Sequence, residues 1–224
     1  GCAAAGARAG ARTTIVARSQ SELDAAAAAL SAEGADVTGI SLDLADLDAL
    51  RAFLDQHGPF DVIVNSAGVA RHSPARDTKA EDFDLVMGLN LRAAYFLSAW
   101  GAEAMQEGGS IIHISSQMGH VGGVDRAVYC ASKHGLEGMI KAMAQEFGPR
   151  GIRINSVCPT FIRTPLAAPT FAAPAKVAWI SSKIYLDRIG EVEDVMGAVV
   201  YLASDASALV TGTSLRIDGG WTTG

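Results

Sequence analysis

Short apolar runs alternate with helix-type patterns along this chain, and this alternation constrains its fold more than any other feature. Strands are predicted at Thr13–Ala17, Val37–Ser41, 60–64, 111–114, 152–157 and Ser214–Ile217. The predicted helices run from a cap at Ser19 or Ser21 to about Gly34, then over 46–57, about 80–105 and 191–204, and a further helix carries Tyr129 and ends near Gly148. Strands that alternate with helices are typical of a parallel sheet with helices on both faces. The sequence therefore predicts an α/β fold with a doubly wound parallel sheet.

Composition narrows the function classes. The 224 residues are 49% hydrophobic, which is enough for one sizeable core in one domain. The net charge of −6 is dispersed without a basic block, so neither nucleic acid nor an anionic membrane is an expected partner. The 3 cysteines are widely spaced and form no CxxC, which favours reduced thiols and a cytoplasmic location. The 5 histidines show no ligand spacing, so no metal site is expected.

Residues 129–133 read YCASK, which places Tyr129 and Lys133 on the same face of a helix, one turn apart. A phenol has an ordinary pKa of about 10, so it is a poor proton shuttle at neutral pH unless its surroundings change. A lysine ammonium favours the phenolate, and a hydroxyl such as that of Ser116 can hold the oxygen of a reacting alcohol or carbonyl. Taken alone, such a pair is more typical of an exposed helix face than of a catalytic site.

Four further motifs supply context in a fixed order: DVIVNSAG at 61–68, GSIIHISS at 109–116, IRINSVCP at 152–159 and TGTSLRIDGG at 211–220. With these motifs in register from about Thr13 to Trp221, the chain resembles the short-chain dehydrogenase/reductase family. The resemblance implies a single Rossmann-like domain and an oxidoreductase that uses NAD or NADP on a secondary alcohol or carbonyl. A non-catalytic nucleotide sensor or scaffold with the same fold is the alternative. A sensor is expected to have lost some of the family's catalytic residues.

The family's catalytic residues are all present. By resemblance, Tyr129 is general base in alcohol oxidation and general acid in carbonyl reduction, while Ser116 orients and polarises the substrate oxygen. Lys133 is expected to bind the nicotinamide ribose hydroxyls and to lower the pKa of Tyr129. Asn90 matches the family's fourth member, which kinks the long helix and holds a proton-relay water. On local grounds alone, Asn90 is equally an exposed polar residue in a helix.

The resemblance also implies cofactor contacts, carried by Asn65, Ala67, Gly68, Asp43, Leu44, Pro159, Ile162 and Thr164 in addition to Tyr129 and Lys133. Small residues at the ends of parallel strands let the chain pass close to a cofactor. For Asp43 and Leu44, a capping aspartate and a core leucine are alternatives of equal weight on local grounds.

Arg18 and Ser19 bear on the choice of cofactor. NAD-binding relatives tend to carry an acidic residue after the corresponding strand, where it holds the ribose hydroxyls. Here Arg18 can pair with a 2′-phosphate, with help from Ser19, so NADP is favoured over NAD. The alternative is a solvated Arg18 that stacks on adenine in an NAD enzyme.

Residues 160–188 form a long irregular stretch that is expected to fold over a ligand as a lid, or else to pack as a surface excursion. Its apolar side chains are Leu166, Phe171, Val177, Trp179, Ile180 and Tyr185. The candidate substrate residues are Gln117, His120, Thr160 and Trp179. Thr160 stands where the family usually has glycine. The apolar helices around Asn90 and Tyr129, and the terminal Trp221, suggest a homotetramer or homodimer.

One family motif is missing. The family begins with a strand and a Thr-Gly-x-x-x-Gly-x-Gly loop that holds the cofactor pyrophosphate, and the numbered chain has neither. Gly6 and Gly10 imitate only two of these glycines, and Thr13–Ala17 follows them at once. Residues 9–12 resemble the end of the helix that follows that loop. Either the chain is truncated before this point or residues are left out of its numbering, and the intact motifs downstream favour the second explanation. If the chain were complete as numbered, its sheet would lack its central strand and the protein would be expected to be unstable and inactive.

Overall fold

The computed structural model describes residues 1–223, except for the side chain of Leu166. The strands are β1 (Thr13–Ala17), β2 (Val37–Ser41), β3 (Val62–Asn65), β4 (Gly109–Ile114), β5 (Ile152–Pro159) and β6 (Ser214–Ile217). The helices are α1 (Cys2–Arg8), α2 (Gln20–Ala32), α3 (Leu47–His57), α4 (Ala80–Met87), α5 (Ala94–Glu103), α6 (Ala127–Phe147), α7 (Ala168–Phe171), α8 (Pro174–Ser181) and α9 (Val192–Ala203). None of the helices described is both long and apolar enough to cross a membrane.

All strand pairs within the described residues are parallel, and they form two separate sheets. Strand β1 pairs with β2, while β3, β4, β5 and β6 form a second sheet in that order. Residues 2–8 are helical and lead through a turn at Gly10 into β1, so Gly6 and Gly10 form no phosphate-binding loop.

Helices cover both faces of the larger sheet, as the doubly wound prediction requires. Ile111 and Ile112 are neighbours in β4, so their side chains point to opposite faces. Ile111 packs in a core with residues of α3, α5 and α6, whereas Ile112 packs with residues of α9. Both isoleucines are fully buried, and burial of each contributes roughly 1.5–3 kcal/mol.

Local sequence explains where several helices begin. The Ser19 hydroxyl accepts a hydrogen bond from the backbone N–H of Glu22 and caps α2. The Asp46 carboxylate accepts one from Ala49 and caps α3. Each cap satisfies a backbone donor that the first helical turn leaves free, which contributes roughly 1 kcal/mol.

The helix predicted at 80–105 is interrupted. Helices α4 and α5 are joined by a π-helical segment, Gly88–Ala93, which contains Asn90. Such segments are rare and occur often at functional sites. The resemblance predicts that Asn90 kinks this helix, and the structure places Asn90 within the π-helical segment.

The stretch 160–188 is not irregular, which corrects the prediction. It contains a 3₁₀ turn (Pro165–Ala167) and helices α7 and α8, each of which has a proline in its first turn. Ile180, Ile184 and Ile189 form a small buried core beside Phe161, Phe171, Val177 and Trp221. The prediction that Leu166 is an apolar lid residue cannot be compared, because its side chain lies outside the part of the chain that the structure describes. Trp221 packs on its own chain, 5.6 Å from the ring centre of Phe161, rather than lacking a core to join.

Candidate active site

The four predicted catalytic residues lie on three elements that meet at one edge of the larger sheet. Ser116 follows β4 and caps a 3₁₀ turn, where its hydroxyl accepts a hydrogen bond from the N–H of Met118. Tyr129 and Lys133 lie in the first turns of α6, and the Lys133 Nζ atom is 5.8 Å from the Tyr129 ring centre. The fold thus brings together the hydroxyl, phenol and ammonium that the sequence predicted.

Asn90 holds this group of elements together. Its side chain is buried and forms two hydrogen bonds with the backbone of Val69, accepting from the N–H at 2.8 Å and donating to the carbonyl at 2.9 Å. It also donates to the Ser132 hydroxyl on α6 at 3.1 Å. The reading of Asn90 as an exposed helical residue is therefore wrong. The amide fixes the loop after β3 against the helix that carries Tyr129.

Burial dominates the pKa of both central groups. Lys133 is 3% exposed, and burial lowers the pKa of its ammonium from 10.5 to about 8. Burial raises the pKa of the Tyr129 phenol, while the Ser116 hydroxyl and the positive charge of Arg126 oppose that rise. Lys133 donates its hydrogen bond to the Ile114 carbonyl at 3.0 Å rather than to the phenol. The expected lowering of the Tyr129 pKa by Lys133 is therefore absent from this arrangement and stays a prediction for the ligand-bound state.

The loop after β3 is anchored by a buried polar chain. Asn65 donates from Nδ2 to Nδ1 of His113 on β4 and accepts from the N–H of Ala67. The other ring nitrogen of His113 lies 2.8 Å from the Ser98 hydroxyl, which itself donates to a backbone carbonyl. A neutral imidazole fits these contacts, and burial lowers the pKa of His113 to about 3. A Cβ on Gly68 would lie 3.3 Å from the Asn90 side-chain oxygen and 3.9 Å from Lys133 Nζ, so the backbone passes close to the catalytic groups there.

At the far end, four predicted adenine-side residues cluster around the ends of β1 and β2. Arg18 is exposed, and among the described residues no carboxylate lies within 4.0 Å of its guanidinium. Ser19 is the cap of α2. Asp43 accepts the N–H of Ala45 at 3.0 Å and Leu44 packs on the core, so both have local structural roles beside any cofactor contact.

The nicotinamide-side residues follow β5. Pro159 is its last residue, Ile162 forms a bridge to Gly190, and the Thr164 hydroxyl caps a 3₁₀ turn. The Thr160 hydroxyl and the Gln117 side-chain oxygen are buried without a hydrogen-bond partner. A buried polar atom left unsatisfied costs roughly 1–3 kcal/mol, so these two atoms suit a polar ligand. The residues present therefore fit the nicotinamide half of a dinucleotide, while the glycine loop for its pyrophosphate is absent from the sequence.

Sequence reasoning missed a cation beside Tyr129. Arg126 lies at the N-terminus of α6, one turn before Tyr129, with a guanidinium nitrogen 2.8 Å from the ring nitrogen of His72 and its centre 5.5 Å from the Phe161 ring centre. No carboxylate of the described chain is within salt-bridge distance of it. Burial lowers the pKa of Arg126, and burial together with Arg126 lowers that of His72. The sequence signal for this cation was the position of Arg126 three residues before Tyr129.

Two predicted substrate residues have contacts within the protein. The indole of Trp179 is half exposed and packs edge-on against Trp221 and Phe161, with ring centres 5.3 and 6.5 Å away. The His120 Nε2 atom lies 3.4 Å from Cys158 Sγ and 3.8 Å from a Glu137 carboxylate oxygen. The expectation of no metal rested on spacing along the chain, and the fold brings these three residues together from distant segments.

Known proteins resemble this chain over nearly all of its length. A family profile described as enoyl-(acyl carrier protein) reductase matches residues 1–222. L-xylulose reductase from Bos taurus is 37% identical, over 95% of this chain and 87% of its own length. A gluconate 5-dehydrogenase from Burkholderia cenocepacia, solved in complex with NADP and tartrate, is 28% identical with a TM-score of 0.96, over 100% of this chain and 90% of that one.

A second solved structure names the family directly. The crystal structure of a short-chain type dehydrogenase/reductase from Mycobacterium marinum is 34% identical with a TM-score of 0.93, over 100% of this chain and 90% of that chain. These relatives are named as dehydrogenases or reductases and match nearly the whole chain, which favours an enzyme over a non-catalytic sensor. The chain belongs to the short-chain dehydrogenase/reductase family and is an NAD(P)-dependent oxidoreductase of secondary alcohols and carbonyl compounds.

Proposed function

We propose that the protein oxidises and reduces a polyhydroxylated acid at a secondary alcohol or ketone, with NADP as its cofactor. Bound NADP supplies or accepts the hydride. The Tyr129 phenol moves the proton to or from the substrate oxygen, and the Ser116 hydroxyl holds that oxygen in place. Lys133 binds the ribose hydroxyls, and Asn90 keeps the loop after β3 in register with α6. These roles rest on the resemblance and on the convergence of the four side chains.

The choice of NADP is supported by Arg18. Its exposed guanidinium lies at the end of β1 without a carboxylate partner among the described residues, and Ser19 follows it. A guanidinium pairs with a phosphate through two parallel hydrogen bonds. The Burkholderia cenocepacia relative was solved with NADP. Pro159, Ile162, Thr164, Asp43, Leu44, Asn65, Ala67 and Gly68 are the further contacts proposed for this cofactor.

Arg126 is the observation that carries the substrate class. A partly buried cation without an ionic partner is unfavourable, because burial removes its hydration, and for Arg126 the neutral His72 ring and the Phe161 ring replace that hydration without supplying a negative charge. Arg126 is close enough to Tyr129 for its charge to lower the pKa of the phenol. A substrate carboxylate bound there would hold the rest of the molecule so that one of its hydroxyl or ketone groups lies within reach of Tyr129. The L-xylulose reductase relative is named for a neutral ketose, and the gluconate relative for an acid, so the two classes can be compared directly.

Two further residues are proposed to contact the substrate. The unsatisfied oxygen of Gln117 is a hydrogen-bond acceptor for a sugar hydroxyl, and the unsatisfied hydroxyl of Thr160 serves the substrate or the nicotinamide. Trp179 and the segment 160–188 are proposed to close over the ligand. For His120, only the other ring nitrogen, Nδ1, is proposed to contact the substrate, because Nε2 lies beside Cys158 and Glu137.

The test is a comparison of substrates on two variants. Wild type is expected to turn over gluconate and 5-ketogluconate with higher kcat/KM than xylitol and L-xylulose. Arg126→Gln should lower kcat/KM for the acids about 10- to 100-fold, since hydrogen bonds to charged groups contribute roughly 1.5–3 kcal/mol. The neutral substrates should change by only a few-fold.

Arg163→Gln is the matched control. Arg163 also stacks near an aromatic ring, 5.2 Å from the Phe171 ring centre, but it has a carboxylate partner in Glu191 at 3.1 Å. It should leave the preference for acids unchanged. Equal effects of Arg126→Gln on acids and neutral substrates would refute the carboxylate assignment, and no turnover of either class would refute the proposed function itself.

We propose in addition that the protein is a cytoplasmic homo-oligomer, a homotetramer or homodimer. Phe83, Leu85 and Tyr95 on α4 and α5 are between 43% and 48% exposed, which is unusual for large apolar side chains on neighbouring helices. A self-complementary contact between such helices would cover them. Light scattering at micromolar concentration measures the mass, and a fully active monomer would contradict this proposal.

A further inference from the structure

A largely buried cluster of three different ligand types includes one residue of the catalytic helix. Only His120 among its members has a role proposed above, and that role uses its other ring nitrogen. His120 comes from the loop after Ser116, Glu137 lies one turn beyond Lys133 on α6, and Cys158 is the residue before Pro159 on β5. One ligand atom from each lies within 4.8 Å of the other two. We propose that these three side chains bind one Zn²⁺ ion, independently of the substrate and cofactor assigned above.

The separations between the ligand atoms fit zinc. Tetrahedral bonds of about 2.0 Å to nitrogen or oxygen and about 2.3 Å to sulfur place neighbouring ligand atoms roughly 3.3–3.5 Å apart. His120 Nε2 is 3.4 Å from Cys158 Sγ, Cys158 Sγ is 3.4 Å from Glu137 Oε1, and His120 Nε2 is 3.8 Å from Glu137 Oε2. The two distances to Glu137 end on different oxygens, so the carboxylate would bind the ion through both oxygens or rotate to present one of them. The fourth position is left for water.

The chemistry of the donors selects the metal. One thiol, one imidazole and one carboxylate form a set of one soft, one borderline and one hard donor, and the thiol and imidazole suit zinc and disfavour magnesium and calcium. The Cys158 thiol loses its proton to solvent as the zinc–sulfur bond forms. Glu137 and Cys158 are 4% and 0% exposed, whereas the His120 side chain is 23% exposed and marks the route of entry.

Two serine hydroxyls already orient the Glu137 carboxylate. Glu137 Oε2 accepts hydrogen bonds from the hydroxyl of Ser156 on β5, at 2.9 Å, and from that of Ser214 on β6. Partners of this kind fix ligand orientation, and their loss typically lowers metal affinity 10- to 100-fold. Without an ion, the thiol donates to Glu137 instead, and a hydrogen-bonded cluster of this kind is the competing explanation.

Zinc binding to the chelator-treated full chain tests the proposal, with competition against a chromophoric chelator as the readout. Wild type should bind one Zn²⁺ per chain with submicromolar affinity. Cys158→Ala and His120→Asn should each weaken binding at least tenfold, and Ser214→Ala should weaken it less. Cobalt should give a thiolate charge-transfer band in wild type that is absent from Cys158→Ala.

Cys130→Ser is the matched control, because Cys130 is also a buried free cysteine on α6 but lies outside the cluster. It should bind zinc as wild type does. Circular dichroism shows whether each variant is folded, and His120→Asn changes a partly exposed loop residue if Cys158→Ala fails to fold. Absence of stoichiometric zinc, or equal affinity in wild type, Cys158→Ala and His120→Asn, would overturn the proposal and leave a hydrogen-bonded cluster only.

Discussion

Replacement of Lys133 by methionine should abolish activity and at the same time stabilise the fold at neutral pH. Burial lowers the pKa of this ammonium from 10.5 to about 8, so the folded state holds the charged form at a cost. At 1.36 kcal/mol per pKa unit, that cost is about 3 kcal/mol. Methionine has a similar unbranched shape but no charge to desolvate, so it should recover most of this cost.

Part of the gain is offset. Lys133 donates a hydrogen bond to the Ile114 carbonyl at 3.0 Å, and methionine leaves that acceptor without it. Such a bond contributes about 1 kcal/mol, so the expected net stabilisation is roughly 2 kcal/mol. In a chain of this length that corresponds to a rise in Tm of about 4–8 °C.

The pH dependence gives a sharper signature. The folded-state pKa of Lys133 lies below its ordinary value, so the unfolded chain binds the extra proton between about pH 8 and 10.5. Wild-type stability should therefore rise with pH across that window because of Lys133, whereas below about pH 8 the full cost applies. Lys133→Met should lack this rise, so the two unfolding free energies should cross at about pH 9.5, and wild type should be more stable by about 1 kcal/mol above about pH 10.5.

Urea unfolding at pH 7 and pH 10, followed by circular dichroism, measures both effects. Lys141→Met is the control, since Lys141 lies on the same helix but is exposed, and it should be nearly neutral at either pH. A Lys133→Met variant that is less stable than wild type at pH 7, or that tracks wild type in parallel to pH 10, would refute the argument from desolvation.

Three further outcomes are expected. Tyr129→Phe keeps the ring and removes the titrating oxygen, so kcat should fall by at least a hundredfold with cofactor affinity retained by fluorescence titration; activity within a few-fold of wild type would contradict the mechanism. Arg18→Asp should shift the kcat/KM ratio at least tenfold from NADP toward NAD; an unchanged ratio would show that Arg18 contacts no phosphate. His113, with a pKa lowered by burial to about 3 from 6.5, should cost stability as pH falls below about 6.5, and His113→Asn should flatten that dependence in acid unfolding curves.

The strands and most helices were predictable because hydrophobic periodicity is local. The strand at Thr13–Ala17 and that at Ser214–Ile217 were placed at their observed bounds, and α3 begins one residue after its capping Asp46. The sequence predicts an irregular stretch at 160–188, because prolines there suggest that no helix continues through them. Prolines at the first turns of α7 and α8 instead begin helices, where their missing N–H would have had no partner.

The sequence predicted site residues only where a short motif or the end of a strand marks them. Tyr129 and Lys133 share a helical turn, and Ser116 ends a strand. By contrast, His113 meets Asn65 across neighbouring strands, and Glu137 meets Cys158 across a helix–strand contact. Those pairs depend on which strands are neighbours, which spacing along the chain does not contain.

The side chains that the fold holds in energetically unfavourable surroundings lie close together instead of being scattered through the protein. The desolvated ammonium of Lys133, the partly buried Arg126 without a carboxylate partner, and the unsatisfied oxygens of Gln117 and Thr160 all lie on segments that follow β4 or β5 or begin α6. A sequence selected for stability alone would remove each of them, since each costs roughly 1–3 kcal/mol. Ligands that bring a ribose, a carboxylate and hydroxyl groups to this edge would satisfy all four at once. The unfavourable surroundings of these residues thus indicate the same site as the catalytic motif. Arg126, Gln117 and Thr160 are not part of that motif, so their support is independent of it.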